Sequence, residues 1–96
     1  MNPAPVSKSN FIFEKIVGAD DAKVEFAKMV ILLAFEECPD NDWDKSNLVA
    51  DKFEQKYGNE WLATFIKNGD CRFHYHGYFL KLKYKDYNIK IARTGL

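Results

Sequence analysis

The hydrophobic rhythm of the chain changes twice. Phe11, Ile12, Phe13, Ile16 and Val17 make a short apolar run that stops at Gly18, and it reads as a strand over residues 11–17. From residue 22 to about 38 the rhythm is helical. Ala27, Val30, Ile31, Ala34 and Cys38 recur at helical spacing, and Phe26, Met29, Leu33 and Phe35 widen the stripe. Asp20 and Asp21 stand where a cap belongs, and Pro39 stands where the helix must end. A helix this apolar requires a broad surface to pack on. After an acidic connection, Asp42 or Asp44 caps a second helix that runs to about residue 57. Val49, Phe53 and Tyr57 share one face of it, with Leu48 and Ala50 beside them; Asp51, Lys52, Glu54, Gln55 and Lys56 supply the polar face. Gly58 sits at the position of a C-terminal cap.

Beyond Gly58 the period falls to two. Residues 61–66 are aromatic and β-prone, and Asn68-Gly69 is a turn signal. Over residues 71–76, Cys71, Phe73 and Tyr75 alternate with Arg72, His74 and His76, until Gly77 breaks the run. Tyr78, Leu80, Leu82 and Tyr84 then alternate with Phe79, Lys81 and Lys83. Residues 86–88 read as a turn, and Ile89 and Ile91 flank Lys90 in a last short strand. The order is strand, helix, helix and four strands. It predicts an α+β domain with two helices packed on one side of an antiparallel sheet. Residues 1–10, with Pro3, Pro5, Ser7 and Ser9, read as a flexible lead or linker, which leaves residues 11–96 as the domain. No repeat or low-complexity segment interrupts it.

Composition narrows the function. A chain of 96 residues holds one core, and 47% apolar with 16% aromatic residues argues against disorder. Fourteen basic residues balance fourteen acidic ones, so no net field draws the protein to nucleic acid or to an anionic membrane. The longest apolar run, residues 29–35, is far short of the roughly 20 residues that span a bilayer, and no signal peptide opens the chain. A soluble, cytoplasmic protein without membrane insertion is the expectation. Cys38 and Cys71 match no zinc or redox spacing, and free thiols are expected.

Few residues suggest chemistry. His74 and His76 would point the same way from a strand and could share a metal ion, but a zinc site needs a third protein ligand and none lies nearby in sequence. Asp40, Asp42 and Asp44 imitate the start of a calcium loop. That loop wants glycine at its sixth position and glutamate at its twelfth, and here stand Lys45 and Asp51. Helix capping accounts for the same carboxylates. Cys71 and His74, three apart on a strand, fall on opposite faces, the wrong geometry for a nucleophile and its base. No glycine-rich phosphate loop is present. Lys81, Lys83, Lys85 and Lys90 form a basic stripe that, with Phe79, could touch RNA, but alternating lysines more often mark a solvated or protected sheet face. The reading is a protein that is not an enzyme, with no catalytic residue, metal or cofactor.

One segment carries a family signature. Residues 51–57 read Asp-Lys-Phe-Glu-Gln-Lys-Tyr, and Trp61 follows four residues after Tyr57. This resembles the small dynein light chains, whose second helix places Phe four residues before Tyr and whose first strand after it opens with Trp. The likeness runs from about Lys15 to the end and includes the alternation Tyr78, Leu80, Leu82, Tyr84 and a terminal Arg93-Thr94-Gly95. It implies two helices on a sheet in a strand-exchanged homodimer. The exchanged strand is then residues 71–76, pairing with the partner's residues 61–67, and the interface comprises Leu62, Thr64, Phe73, His74, Tyr75 and His76. It further implies that extended client peptides, the dynein intermediate chain among them, join the sheet as an added strand. The groove implied for them contains Asp42 and Trp43 at the helix start and Asn68, Gly69, Asp70, Cys71, Arg72, Phe73 and His74 along the exchanged strand. Leu80, Leu82 and Tyr84 form its floor. A dynein-complex, microtubule-based setting in the cytoplasm follows from the same resemblance.

The departures are informative. The family's acid-sensitive His after the sheet Trp is Leu62 here, so a dimer indifferent to mild acid is expected. Groove aromatics and a Thr become Gly69, Arg72, His74, Leu80 and Leu82; the helix pair that grips the client's glutamine becomes Asp42 and Trp43. Arg72 would favour acidic clients. The chain also resembles the light-chain-like domains that end tegumental calcium-binding and allergen-like proteins of parasitic flatworms, behind a pair of EF-hands. Pro3, Pro5 and Ser7 would suit the linker between such halves. Under that alternative the domain joins two copies of a larger calcium-binding protein, associated with tegument or cytoskeleton, and binds no peptide.

Overall fold

The computed structural model describes residues 10–95, so the lead expected at residues 1–10 lies, except for Asn10, outside the described residues. The elements run β1 (Ile12–Val17), α1 (Asp21–Glu37), α2 (Asp42–Tyr57), β2 (Trp61–Lys67), β3 (Phe79–Tyr84) and β4 (Tyr87–Arg93). The strands form one antiparallel sheet in the order β1-β3-β4-β2, which leaves β1 and β2 as its edges. Both helices cover one face. The alternation expected on β3 is obeyed: Leu80, Leu82 and Tyr84 point at the helices, together with Ala63, Phe65, Ile89 and Ile91 from the neighbouring strands. They meet Ala27, Val30, Ile31 and Ala34 of α1 and Val49 and Phe53 of α2, and the whole layer is buried.

Local chemistry explains the element ends. Asp20 caps α1, its carboxylate accepting from the Lys23 N–H at 3.0 Å. Asn41, not Asp42 or Asp44, caps α2, accepting from the Asp44 N–H at 2.9 Å, because the helix begins one residue earlier than its acidic run suggests. Gly58 at φ +71° and Asn59 at φ +66° turn the chain from α2 into β2. The signature residues build this corner: Phe53 lies 5.0 Å from Trp61 and 5.8 Å from both Tyr57 and Tyr78, centroid to centroid. The Trp61 indole N–H donates to the Gly58 carbonyl at 2.6 Å, so the one polar atom of the ring is satisfied in an apolar setting. At Gly18, φ is +69° and a Cβ would sit 1.7 Å from the Gly77 carbonyl oxygen, so only glycine allows these two backbones to meet.

Three expectations are corrected. Residues 71–76 are not a strand. Their alternation survives as half-buried Cys71, Phe73 and Tyr75 against exposed Arg72, His74 and His76. A strand also needs a ladder neighbour, and within the chain this segment crosses the outer face of the sheet and joins neither edge. Among the described residues the sheet hence has four strands, where the sequence suggested five. The last turn is Lys85-Asp86, with Lys85 at φ +57°, so β4 starts at Tyr87 and runs seven residues.

Candidate functional site at the open sheet edge

β2 pairs on one side only. Its seven residues keep an unbroken register against β4, from Trp61 opposite Arg93 to Lys67 opposite Tyr87. No described residue joins the other side as a strand, although the Trp61 N–H donates to the Glu54 carboxylate at 3.4 Å. The first two turns of α2 run beside this edge. Between them lies a groove of about 320 Å³, walled by Asp42, Trp43 and Asn47 and by Leu62, Thr64 and Ile66. Trp43 is 74% exposed and Leu62 39%, so the groove offers apolar surface on both walls.

A charge cluster around the buried Lys45 fixes the helical wall. Lys45 is fully buried, and its ammonium reaches the Asp42 carboxylate and the Pro39 carbonyl, each at 3.1 Å. It also lies 5.2 Å from the Phe35 ring centre and 5.5 Å from that of Tyr87. The Tyr87 hydroxyl, on β4, donates to the same Asp42 oxygen at 2.6 Å. This bond, with the Lys45 ion pair, holds the Asp42 carboxyl below its ordinary range, against the opposing effect of partial desolvation. Burial first, and then the bond to Asp42, pushes the Tyr87 hydroxyl up to about 12. Asp42 thus ties the start of α2 to the sheet. Lys45 carries this arrangement, although sequence reasoning saw in it only a residue that spoils a calcium loop. The one local signal was its place three residues after Asp42.

The remaining expected site residues lie elsewhere. Residues 69–76 form an arm over the outer face, tethered by β4. Asn88 donates to the Gly69 carbonyl at 2.5 Å, Lys90 to the Cys71 carbonyl, and the Arg93 Nε to the His76 carbonyl at 2.7 Å. Asp70 pairs with Lys90 at 2.8 Å and with Lys81 at 3.7 Å. The bond from Lys90, then that from the Cys71 N–H, keeps its carboxyl low. Phe73 and Tyr75 pack on Phe79, Tyr75 stacking with ring centres 4.6 Å apart. Lys81 and Lys83 face Glu14 at 3.9 and 3.8 Å, so the basic stripe is partly neutralised.

The structure therefore brings Asp42, Trp43, Leu62 and Thr64 together at the open edge. It places Asn68 to His76 on and beside the arm. Leu80, Leu82 and Tyr84, expected on a groove floor, are 0%, 0% and 4% exposed and belong to the core, because their side of β3 is the one the helices cover. Cys38 and Cys71 are free thiols. Among the described residues no three His, Cys, Asp or Glu side chains converge on a metal-sized site, and no helix is long and apolar enough to cross a membrane.

No protein-family model matches the chain, and no curated protein sequence does. Solved structures do match. The dynein light chain-like domain of the Fasciola hepatica calcium binding protein FhCaBP2, in its native form, superposes with a TM-score of 0.75 at 11% identity, over 88% of this chain and 90% of that one. Its mercury derivative gives 0.79 at 12% identity, over 97% and 100%. At such identity the likeness is one of fold, and it spans nearly the whole of both chains.

Proposed function

On this dynein light chain-like fold, we propose that the chain is a protein-interaction module that captures extended segments along the open edge of β2. The observation that carries this reading is the seven-residue, register-perfect, unpaired edge beside the Trp43 groove. The first segment captured is the arm of a second copy. Residues 71–76 already alternate as a strand does, and two copies that exchange arms each cover the other's edge in a symmetric homodimer. A client peptide then adds to the free side of the exchanged arm. Backbone bonds supply affinity, and neighbouring side chains supply selectivity. Arg72 and His74, exposed on the arm, favour acidic clients. Residues 11–96 form the module, residues 1–10 its lead, and no catalytic step is involved.

The test is a fluorescence titration with extended peptides, glutamine-centred and acidic. Trp43 is exposed at the groove and Trp61 is buried in the aromatic corner, so a bound strand changes the emission of the first. Saturable binding at micromolar affinity or tighter supports the reading. A folded dimer that answers to no peptide contradicts the client half of it. That outcome would favour a second reading, a domain that only joins two copies of a larger calcium-binding protein. Two observations lean that way: the Asp42 carboxylate is already engaged by Lys45 and Tyr87, and Leu80 and Leu82 are out of a client's reach.

A further inference from the structure

The arm overhangs a second cavity, an open one, away from the β2 edge. About 440 Å³ lies between residues 72–75 and the outer face of the sheet, a size suited to a small ligand. Its floor and one wall are aromatic: Phe79, with Tyr75 stacked on it and Phe73 edge-on, ring centres 4.6 and 6.2 Å away. Its rim is basic, with Lys15 from β1 and Arg72 and His74 from the arm. No acidic residue lines it. Lys90 also contributes, but its charge is already matched by Asp70. Lys15 and Arg72, by contrast, make no ion pair with any described acid; the Lys15 ammonium lies over the Phe79 ring, 5.9 Å from its centre.

We propose that this cavity is a binding site for a small planar aromatic anion, an aryl phosphate or aryl carboxylate. The ring enters against Phe73, Tyr75 and Phe79, where stacking and desolvation favour it. The anionic group stays at the rim, where Lys15 and the Arg72 guanidinium bracket it and His74 offers a further ring nitrogen. Each half of the ligand selects. Inorganic phosphate gains no stacking, and a neutral phenol gains no ion pair. One wall is the arm and the other the sheet, so an occupied cavity pins the arm to its own chain. By mass action it opposes arm exchange.

The experiment is isothermal titration of the full chain with phenyl phosphate, with inorganic phosphate and phenol as comparison ligands. The variants are Arg72→Ala, Lys15→Ala and, outside the cavity, Lys83→Ala, all at exposed positions. The expected result is one site per chain for phenyl phosphate. Affinity drops at least about tenfold in Arg72→Ala and Lys15→Ala, as for loss of one charge-assisted contact, and is unchanged in Lys83→Ala. Inorganic phosphate binding as well as phenyl phosphate, no saturable binding, or binding indifferent to Arg72→Ala would overturn the inference. Sedimentation of the same samples separates this from the edge reading. If the edge reading alone fails, the protein stays monomeric and still binds phenyl phosphate. If the inference alone fails, a monomer–dimer equilibrium exists that phenyl phosphate does not shift.

Discussion

One sheet carries two unlike edges. β1 is six residues long, its register slips between Phe13 and Lys15, and the extra residue, Glu14, draws Lys81 and Lys83 towards the rim. A bulge and interior charges are the devices that stop an edge from recruiting another strand. β2 has neither. It is seven residues long, pairs without a slip, holds no proline and carries its only charge at Lys67, its last position. The contrast supports the proposed interaction surface better than any single residue does. Among the described residues, one edge carries a bulge and charges, although Ile12 and Ile16 are exposed on it, and the other is unpaired, with an exposed Trp43 beside it.

The most damaging way to break the contrast is to give β2 the protection that β1 has. Leu62→Lys combined with Ile66→Lys places like charges along the open edge at positions outside the core. The domain should stay folded by circular dichroism. Dimer affinity measured by sedimentation should fall at least about a hundredfold, since each change enters a symmetric interface twice. Tyr87→Phe comes next. It removes the bond that anchors the helical wall to the sheet and should cost about 1.5–3 kcal/mol in urea unfolding, the range for a hydrogen bond to a charged group. It also alters the alkaline limb. The folded Tyr87 hydroxyl titrates near 12 against an ordinary 10, so its contribution is whole below pH 10 and is lost as pH rises towards 12. The variant should lose less stability across that window. Tyr78, shifted upward mainly by burial, retains part of the effect.

Deleting Glu14 works in the opposite direction. It removes the bulge and should let β1 recruit strands, seen as weak further association, roughly tenfold tighter than in the parent chain, in sedimentation velocity at high concentration. The smallest effect is a null one. Leu62 cannot gain a proton, so the dimer fraction should not change between pH 7 and 5; dissociation over that range would mean that a group other than the one at position 62 governs the exchange.

The parts of the fold set by local rules were legible in the sequence. Phe53, Tyr57 and Trp61 are within nine residues, and a helical repeat followed by a glycine corner brings them together wherever the rest of the chain lies. The alternation of residues 71–76 was equally plain. Alternation describes a pleated backbone, however, and the neighbour that makes it a strand is not local. The period of two put Leu80, Leu82 and Tyr84 on one face but could not say that helices, and not a client, cover it. Lys45 was missed for a similar reason. A lysine in the first turn of a helix looks solvated, and the ring that helps bury it belongs to Tyr87, 45 residues beyond Asp42. At the site, Trp43, Leu62 and Thr64 were placed by resemblance alone, since no pattern in a single chain announces which edge of a sheet is free.

The most direct test is amide hydrogen exchange of the two edges at protein concentrations below and above the dimer transition. The account predicts that amides of residues 61–67 gain protection as concentration rises while those of residues 12–17 do not change. Equal protection of residues 61–67 at both concentrations, or a gain at β1 instead, would contradict it.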